Sequence, residues 1–233
     1  MQAGTGHTLK AFDEDIAELR TLIGRMGEHA ERAIAESMRC LMKRDREGAL
    51  RIVEQDRELD QFEAEAERRI VQLIALRAPM ADDLRDAVAA LKIAGVVERI
   101  GDYAKNIARR VEALDAPGKI EPLSLLPEMA RVAAEMVHNV LEAFVDRDAA
   151  GAQAVCERDA AVDDFYNSIF RALLTFMMEN PQNITQCAHL LFVARNLERI
   201  GDHATNIAEM VYFAATGERL AERHKGGDPA LVQ

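Results

Sequence analysis

The residues best suited to chemistry are acidic pairs at helical spacing: Asp56 with Asp60, Glu98 with Asp102, Asp159 with Asp163, and Glu198 with Asp202. Neighbours four apart on a helix lie about 5–6 Å apart at Cβ, so each pair repels itself. A helix gains nothing from such a pair unless a cation or an arginine sits between the two acids. Oxygen-rich, thiol-free and nearly histidine-free sets of this kind suit divalent or trivalent hard or borderline cations: iron, manganese, magnesium, zinc or calcium. The competing reading is a solvated acidic face neutralised by Arg99, Lys105, Arg109 and Arg199.

What weighs against simple solvation is repetition. Residues 98–108 read ERIGDYAKNIA and residues 198–208 read ERIGDHATNIA, with nine of eleven positions identical. Upstream, Arg44-Asp45 matches Arg147-Asp148, and Glu54, Asp56, Leu59 and Asp60 match Glu157, Asp159, Val162 and Asp163. The offset is 103 in the upstream match and 100 in the downstream one, and the change falls near Pro79 and Pro181. Gly101 and Gly201 are repeated with the acids, although glycine inside a helix costs about 1 kcal/mol relative to alanine. Such a glycine admits either a close helix or an ion.

The elements that must position these acids follow from apolar periodicity. Each unit of roughly 100 residues reads as three helices. Helices are expected over 13–43, 47–76 and 82–114, then 126–145, 149–178 and 185–216. The stretch after Lys43 is a short turn or a bend. Ala78-Pro79 breaks the second helix, and Gly217 suits a left-handed cap. Short connections make neighbouring helices antiparallel. The expected fold is all-α, two pseudo-symmetric antiparallel three-helix bundles from an internal duplication. Residues 1–115 form the first, 116–217 the second, and 218–233 a frayed tail. On the third helix Ile93, Val96, Ile100, Ala104 and Ile107 form the core stripe. Glu98, Asp102 and Asn106 lie about 160–240° from Ile100, on the opposite face. Glu198, Asp202 and Asn206 repeat that ladder. Asp56 and Asp60 flank the core side of the second helix, so one bundle can gather four carboxylates.

Composition limits the remaining possibilities. The 233 residues carry 29 basic and 40 acidic side chains, a formal net charge of −11. A nucleic-acid partner needs a basic footprint, which this balance does not supply. Cys40, Cys156 and Cys187 are odd in number and form no CxxC pair, which points to small buried hydrophobes in a reducing compartment. The N-terminus has no apolar signal region, and no uncharged apolar run approaches the length of a membrane span. Glu135 and His138 form one ExxH, short of the two needed for a ferritin-like di-iron site. No nucleophile elbow, P-loop or dinucleotide fingerprint is present. Met26, Met38, Met42, Met129 and Met136 read as core.

The opening HTLKAFDEDIAEL, the paired ERIGDYAKNIA and ERIGDHATNIA, and the closing NIAEMVYFAATGE together resemble the PhoU family over residues 7–217. The resemblance implies a non-enzymatic cytoplasmic accessory protein of phosphate signalling, usually a homodimer. Its implied partners are the ATPase subunit of the phosphate ABC transporter and the phosphate-sensing histidine kinase, which would draw it to the inner membrane without insertion. It implies repression of the starvation response when phosphate is plentiful. Some members hold multinuclear iron or zinc through E/DxxxD motifs. Here those positions are Asp56, Asp60, Glu98 and Asp102, and Asp159, Asp163, Glu198 and Asp202, with Asn106 and Asn206 as further ligands or outer support. Glu63 and Glu67 stand against Tyr166 and Phe170, which makes the two sites unequal. A metal-handling or storage protein without a phosphate role is the alternative.

Overall fold

The computed structural model describes the backbone of residues 4–114 and 124–220, and the side chains of 11–114 and 124–220. The elements are α1 (Gly4–Lys43), α2 (Arg46–Arg77), α3 (Asp82–Ala113), α4 (Leu125–Asp146), α5 (Ala149–Glu179) and α6 (Ile184–Thr216), with a one-turn 3₁₀ helix at Pro181–Asn183. Five helices start and end within a residue of the periodicity. Helix α1 starts nine residues earlier than expected, at Gly4. The linker at 115–123 and the tail beyond 220 lie outside the described residues.

The stretch after Lys43 is a tight reversal, and it occurs twice. Arg44 and Arg147 adopt left-handed backbone with φ 54° and 55°. The next residue donates its N–H to a carbonyl five residues back, Asp45 to Cys40 and Asp148 to Ala143, each at 2.9 Å. The Asp45 and Asp148 side chains then cap the following helix, accepting from Gly48 N at 2.8 Å and Ala150 N at 3.0 Å. A carboxylate at that place satisfies an orphan N–H and complements the helix dipole. The repeated Arg-Asp is therefore a helix stop followed by a helix start. At the other connection the halves differ: Ala78 (φ 46°) and Ala81 (φ 51°) carry the first, and the 3₁₀ turn carries the second. The three-residue change of offset sits there.

Helices α1, α3, α6 and α4 pack in a closed ring of neighbours, with α2 outside α1 and α3, and α5 outside α4 and α6. The two bundles thus share one continuous apolar core. The pseudo-twofold relation shows where equivalent residues meet. Tyr103 and His203, one repeat apart, stack with ring centroids 5.4 Å apart, and the Tyr103 hydroxyl lies 3.2 Å from His203 Nε2. All three cysteines are buried and none is in a disulfide, as expected. Met26, Met38, Met129 and Met136 are buried, whereas Met42, in the last turn of α1, is exposed. Its neighbours Cys40 and Leu41 are buried, so Met42 lies on the outer face of the same turn.

An ion triad centred on the buried Asp86 crosses the halves. Asp86 on α3 accepts from Arg20 on α1 at 2.9 Å and pairs with Arg147, at the end of α4, at 3.2 Å. Burial pushes its carboxyl above the usual aspartate range, against the opposing pull of Arg147 and Arg20. The carboxylate ties α1 and the end of α4 to α3. Its repeat counterpart, Gln186, is also buried but uncharged.

Two predictions follow from this packing. Asp86→Ala leaves the largely buried Arg20 without its carboxylate and is expected to cost about 3 kcal/mol, with Asp86→Asn costing less because an acceptor oxygen remains. Chemical denaturation of both variants checks the order. At Gly101 an added Cβ would lie 2.2 Å from Cδ2 of the buried Leu59, while at Gly201 it would lie 3.3 Å from Val162 Cγ1. Gly101→Ala is expected to lose stability, since overpacking of about 1–3 kcal/mol exceeds the helix-propensity gain of about 1 kcal/mol. Gly201→Ala is expected to stay within about 1 kcal/mol of the parent, read by the same denaturation.

Candidate metal centre

In the first half the acids come from two helices that approach at Gly101. Asp56 on α2 is 8% exposed, and its Oδ1 lies 3.7 Å from where a Cβ on Gly101 would sit. Lys105 on α3 donates from Nζ to both Asp56 and Asp102. Burial pulls the Lys105 ammonium down, and its hydrogen bonds to Asp102 and Asp56 outweigh that, holding it above the usual lysine value. Glu98 lies one turn before Asp102 and is half-buried. Its carboxyl is pushed up to about 7, first by burial and then by the charges of Asp102, Glu63, Asp60 and Asp56. Asp60 is exposed, one turn beyond Asp56.

This bears on the competing reading of a solvated acidic face. Glu98, Asp102 and Asn106 are half-buried rather than on a solvent face. Helix α3 is packed by α1, α2 and α6 together, so the side opposite its core stripe faces α2. Of the four cations offered as solvating partners, Lys105 bridges the acids. Arg109 donates to Asn106 Oδ1 at 3.4 Å, and Arg199 lies over the Tyr103 ring at 5.8 Å. Arg99 acts on Glu63 and on His203 through its charge.

The second half repeats the frame. Asp159 is 5% exposed, and its Oδ1 lies 3.4 Å from the Cβ position of Gly201. Asp163, Glu198 and Asp202 are half-buried beside it. Glu198 Oε1 accepts from Arg195. The residue matching Lys105 is Thr205, whose hydroxyl donates to the Asp202 carbonyl at 2.7 Å. Asn206 is exposed, and its Nδ2 lies 3.4 Å from His203 Nδ1. Outside both sites, Glu135 accepts from Arg131 and Arg158, while His138 pairs with Glu31 and Glu142, so the ExxH pair is engaged in ion pairs.

The donor chemistry fits a hard cation. In the first half the carboxylates of α2 and α3 converge closely enough for one positive centre, the Lys105 ammonium, to touch both. The second half offers the same oxygen donors on the same helical frame. Among the described residues, no three acidic, histidine or cysteine side chains form a ready coordination shell. Mutual repulsion between acids disfavours such a shell until a cation supplies the attraction. Sequence reasoning ranked Lys105 with surface partners. Its signal was the i+3 spacing from Asp102, absent in the other repeat.

The raised Glu98 carboxyl has a stability consequence of definite sign. Its folded value lies above its unfolded value, so the folded state holds more protons between the two, and stability falls as pH rises from about 4.5 through about 7. Glu98→Gln in metal-free buffer is expected to raise the thermal midpoint at pH 8, with the gain vanishing towards pH 5. Melting curves across that range check it, and an equal effect at both ends overturns it.

The PhoU domain model matches the chain twice, over residues 23–111 and 126–211. The phosphate-specific transport system accessory protein PhoU homolog of Zymomonas mobilis is 54% identical over 96% of this chain and 94% of its own length. The homolog of the same description from Caulobacter vibrioides is 46% identical over 94% of this chain and 96% of its own. The crystal structure of PhoU from Pseudomonas aeruginosa superposes with a TM-score of 0.84 at 32% identity, covering 89% of this chain and all of that one. A phosphate transport system regulatory protein PhoU from Streptococcus pneumoniae gives 0.84 at 25% identity, covering 91% of this chain. The repeated domain and the shared six-helix frame lead to one conclusion: the chain belongs to the PhoU family.

Proposed function

We propose that this protein is a non-catalytic accessory and regulatory protein of a phosphate-specific transport system. The carrying observation is the near full-length match to relatives described as accessory proteins of such systems. In this reading it represses the phosphate-starvation response when phosphate is plentiful, as an adaptor between the ATPase subunit of the phosphate ABC transporter and the sensor histidine kinase. It works in the cytoplasm as a homodimer and reaches the inner membrane through these partners. Among the described residues no helix is long and apolar enough to cross a membrane.

The acid pairs supply the adaptor's charge logic. Asp56, Asp60, Glu98 and Asp102 would hold metal in one half, and Asp159, Asp163, Glu198 and Asp202 in the other. Oxygen donors of this type select iron, manganese, magnesium or zinc. A bound cation supplies charge neutralisation and a fixed geometry between paired helices, and no covalent chemistry on phosphate. The protein's own residues do the rest: α2 with α3, and α5 with α6, are held at close approach by Gly101 and Gly201. Asn106 and Asn206 sit one turn beyond the acids as outer support.

A deletion strain carrying a phosphatase reporter tests this reading in abundant phosphate. Constitutive reporter output is the expected result, restored to repression by the parent gene. Asp102→Asn combined with Asp202→Asn is expected to lower metal content in the purified protein and to fail in that rescue. Normal repression in the deletion strain, together with high metal loading of the purified protein, would instead favour a metal-handling role.

A further inference from the structure

Of the four edges of the α1–α3–α6–α4 ring, α2 lies against the α1–α3 edge and α5 against the α4–α6 edge. Among the described helices, none is laid over the α3–α6 edge or the α1–α4 edge. The α3–α6 edge runs between the two acid clusters, one on α2 and α3, the other on α5 and α6. The α1–α4 edge is different. Its two helices run antiparallel, with Gly27 against Leu141 and Glu31 against His138. Towards the end of α1 they part into a groove of about 530 Å³. Ala35, Met38 and Met42 of α1 and Pro127, Ala130 and Ala134 of α4 line its floor. Met38 is buried, but Met42 is 40% exposed at the groove's end.

We propose that the α1–α4 edge is the face through which two copies of this chain join. The inference rests on the homodimer reading above and gives it a surface. Charge selects the occupant. A chain of net charge −11 repels its own copy over most of its surface. The groove is lined by two acids, Glu31 and Glu135, and two arginines, Arg39 and Arg131, which cancel. A twofold dimer uses one patch on both subunits, so that patch must complement itself. Glu31 and Arg39 lie about 12 Å apart along α1, so a copy turned end for end sets the acidic end of one groove over the basic end of the other.

Size and shape agree with that occupant. Helix α4 has 22 residues, about 33 Å of length, and two packed helices are about 20 Å across. The face is then about 650 Å² in projection, against the roughly 800 Å² that each partner gives to a standard interface. The alanines of the floor let a second helix pair come close, as in a four-helix bundle, and methionine adapts to the shape that meets it.

Sedimentation of the full chain over a dilution series measures the dimer. Ala35 is exposed, so Ala35→Arg puts a charge in the groove without entering the core. It is expected to weaken the dimer about 100-fold or more. Leu76→Arg, 67% exposed at the end of α2, and Phe192→Arg, 53% exposed on the α3–α6 edge, are expected to leave it unchanged. Melting curves establish that each variant folds. The parent chain is also oxidised with dilute peroxide and its methionine sulfoxides followed by mass spectrometry. The rate at Met42 is expected to rise several-fold when the dimer is diluted to monomer. The rates at Met80 and Met178, which are 80% and 85% exposed, are expected to stay constant.

A monomer at every concentration overturns the homodimer reading, and the inference with it. A dimer that survives Ala35→Arg, with Met42 oxidised at one rate throughout, overturns the inference and leaves the homodimer reading standing. Loss of the dimer on Phe192→Arg alone moves the contact to the α3–α6 edge and overturns it equally. A Met42 that stays protected in the monomer assigns the groove to a segment of the same chain, against the proposal.

Discussion

Carboxylates brought face to face between packed helices must be neutralised, and much of this molecule can be read as the answer to that demand. Asp56 and Asp159 are nearly buried, each on an outer helix, against a glycine of an inner one. Removing a carboxylate from water costs far more than a surface ion pair returns, so each needs a partner inside the protein or from outside it. In the first half that demand is met by Lys105 and shows as the raised carboxyl of Glu98, which shares the cluster. The glycines explain why the acids come so near: without a side chain at 101 or 201, α2 and α5 close onto their neighbours, and the carboxylates are carried in with them.

Duplication supplied two copies of one frame, and three exchanges on α3 and α6 set the halves apart. The matched positions Lys105 and Thr205, Tyr103 and His203, and Asp86 and Gln186 all lie on those two helices. Each exchange changes charge or hydrogen-bonding character while leaving the helix geometry intact. The Arg-Asp reversal, by contrast, is kept in both halves down to its hydrogen bonds. The four acid pairs have stayed as well, so the halves differ in what surrounds the acids rather than in the acids themselves.

The helices and their limits were legible because apolar periodicity and caps are local signals. Arg44-Asp45 and Arg147-Asp148 could be matched as repeats, though the left-handed arginine that makes the turn has no local signature, since arginine pays a steric cost there. The face of α3 bearing Glu98 and Asp102 was legible, but its degree of burial was not. A helical wheel finds the stripe facing the main core, but it does not report a third neighbour such as α2. Early initiation of α1 was missed because Gly4, Thr5 and Gly6 are poor helix formers. Lys105 was visible as a residue, but its bridging depends on the α2–α3 register, which long-range packing sets. The Tyr103–His203 stack was passed over because the two residues differ, and difference reads as absence of a shared role. An axis of pseudo-symmetry brings equivalent positions together whether or not they match.

That stack also explains why the acid sites and the junction between halves are mechanically one object. Successive residues on a helix point about 100° apart. Asp102 therefore faces α2 while its neighbour Tyr103 faces α6, and Asp202 and His203 repeat the relation in the opposite sense. A helix is stiff over this distance, so a rotation of α3 that relieves or tightens its carboxylates must be taken up at the Tyr103–His203 contact. Arg199 lies over the Tyr103 ring, and Arg110 over Phe192 of α6, which anchors the same junction from both sides. A rotation of α3 on neutralisation of its cluster would therefore be felt in the fit of the halves as well as in the charge of one face. Under the adaptor role proposed above, such a linkage would tie the altered surface and the altered interface to the same turn of helix.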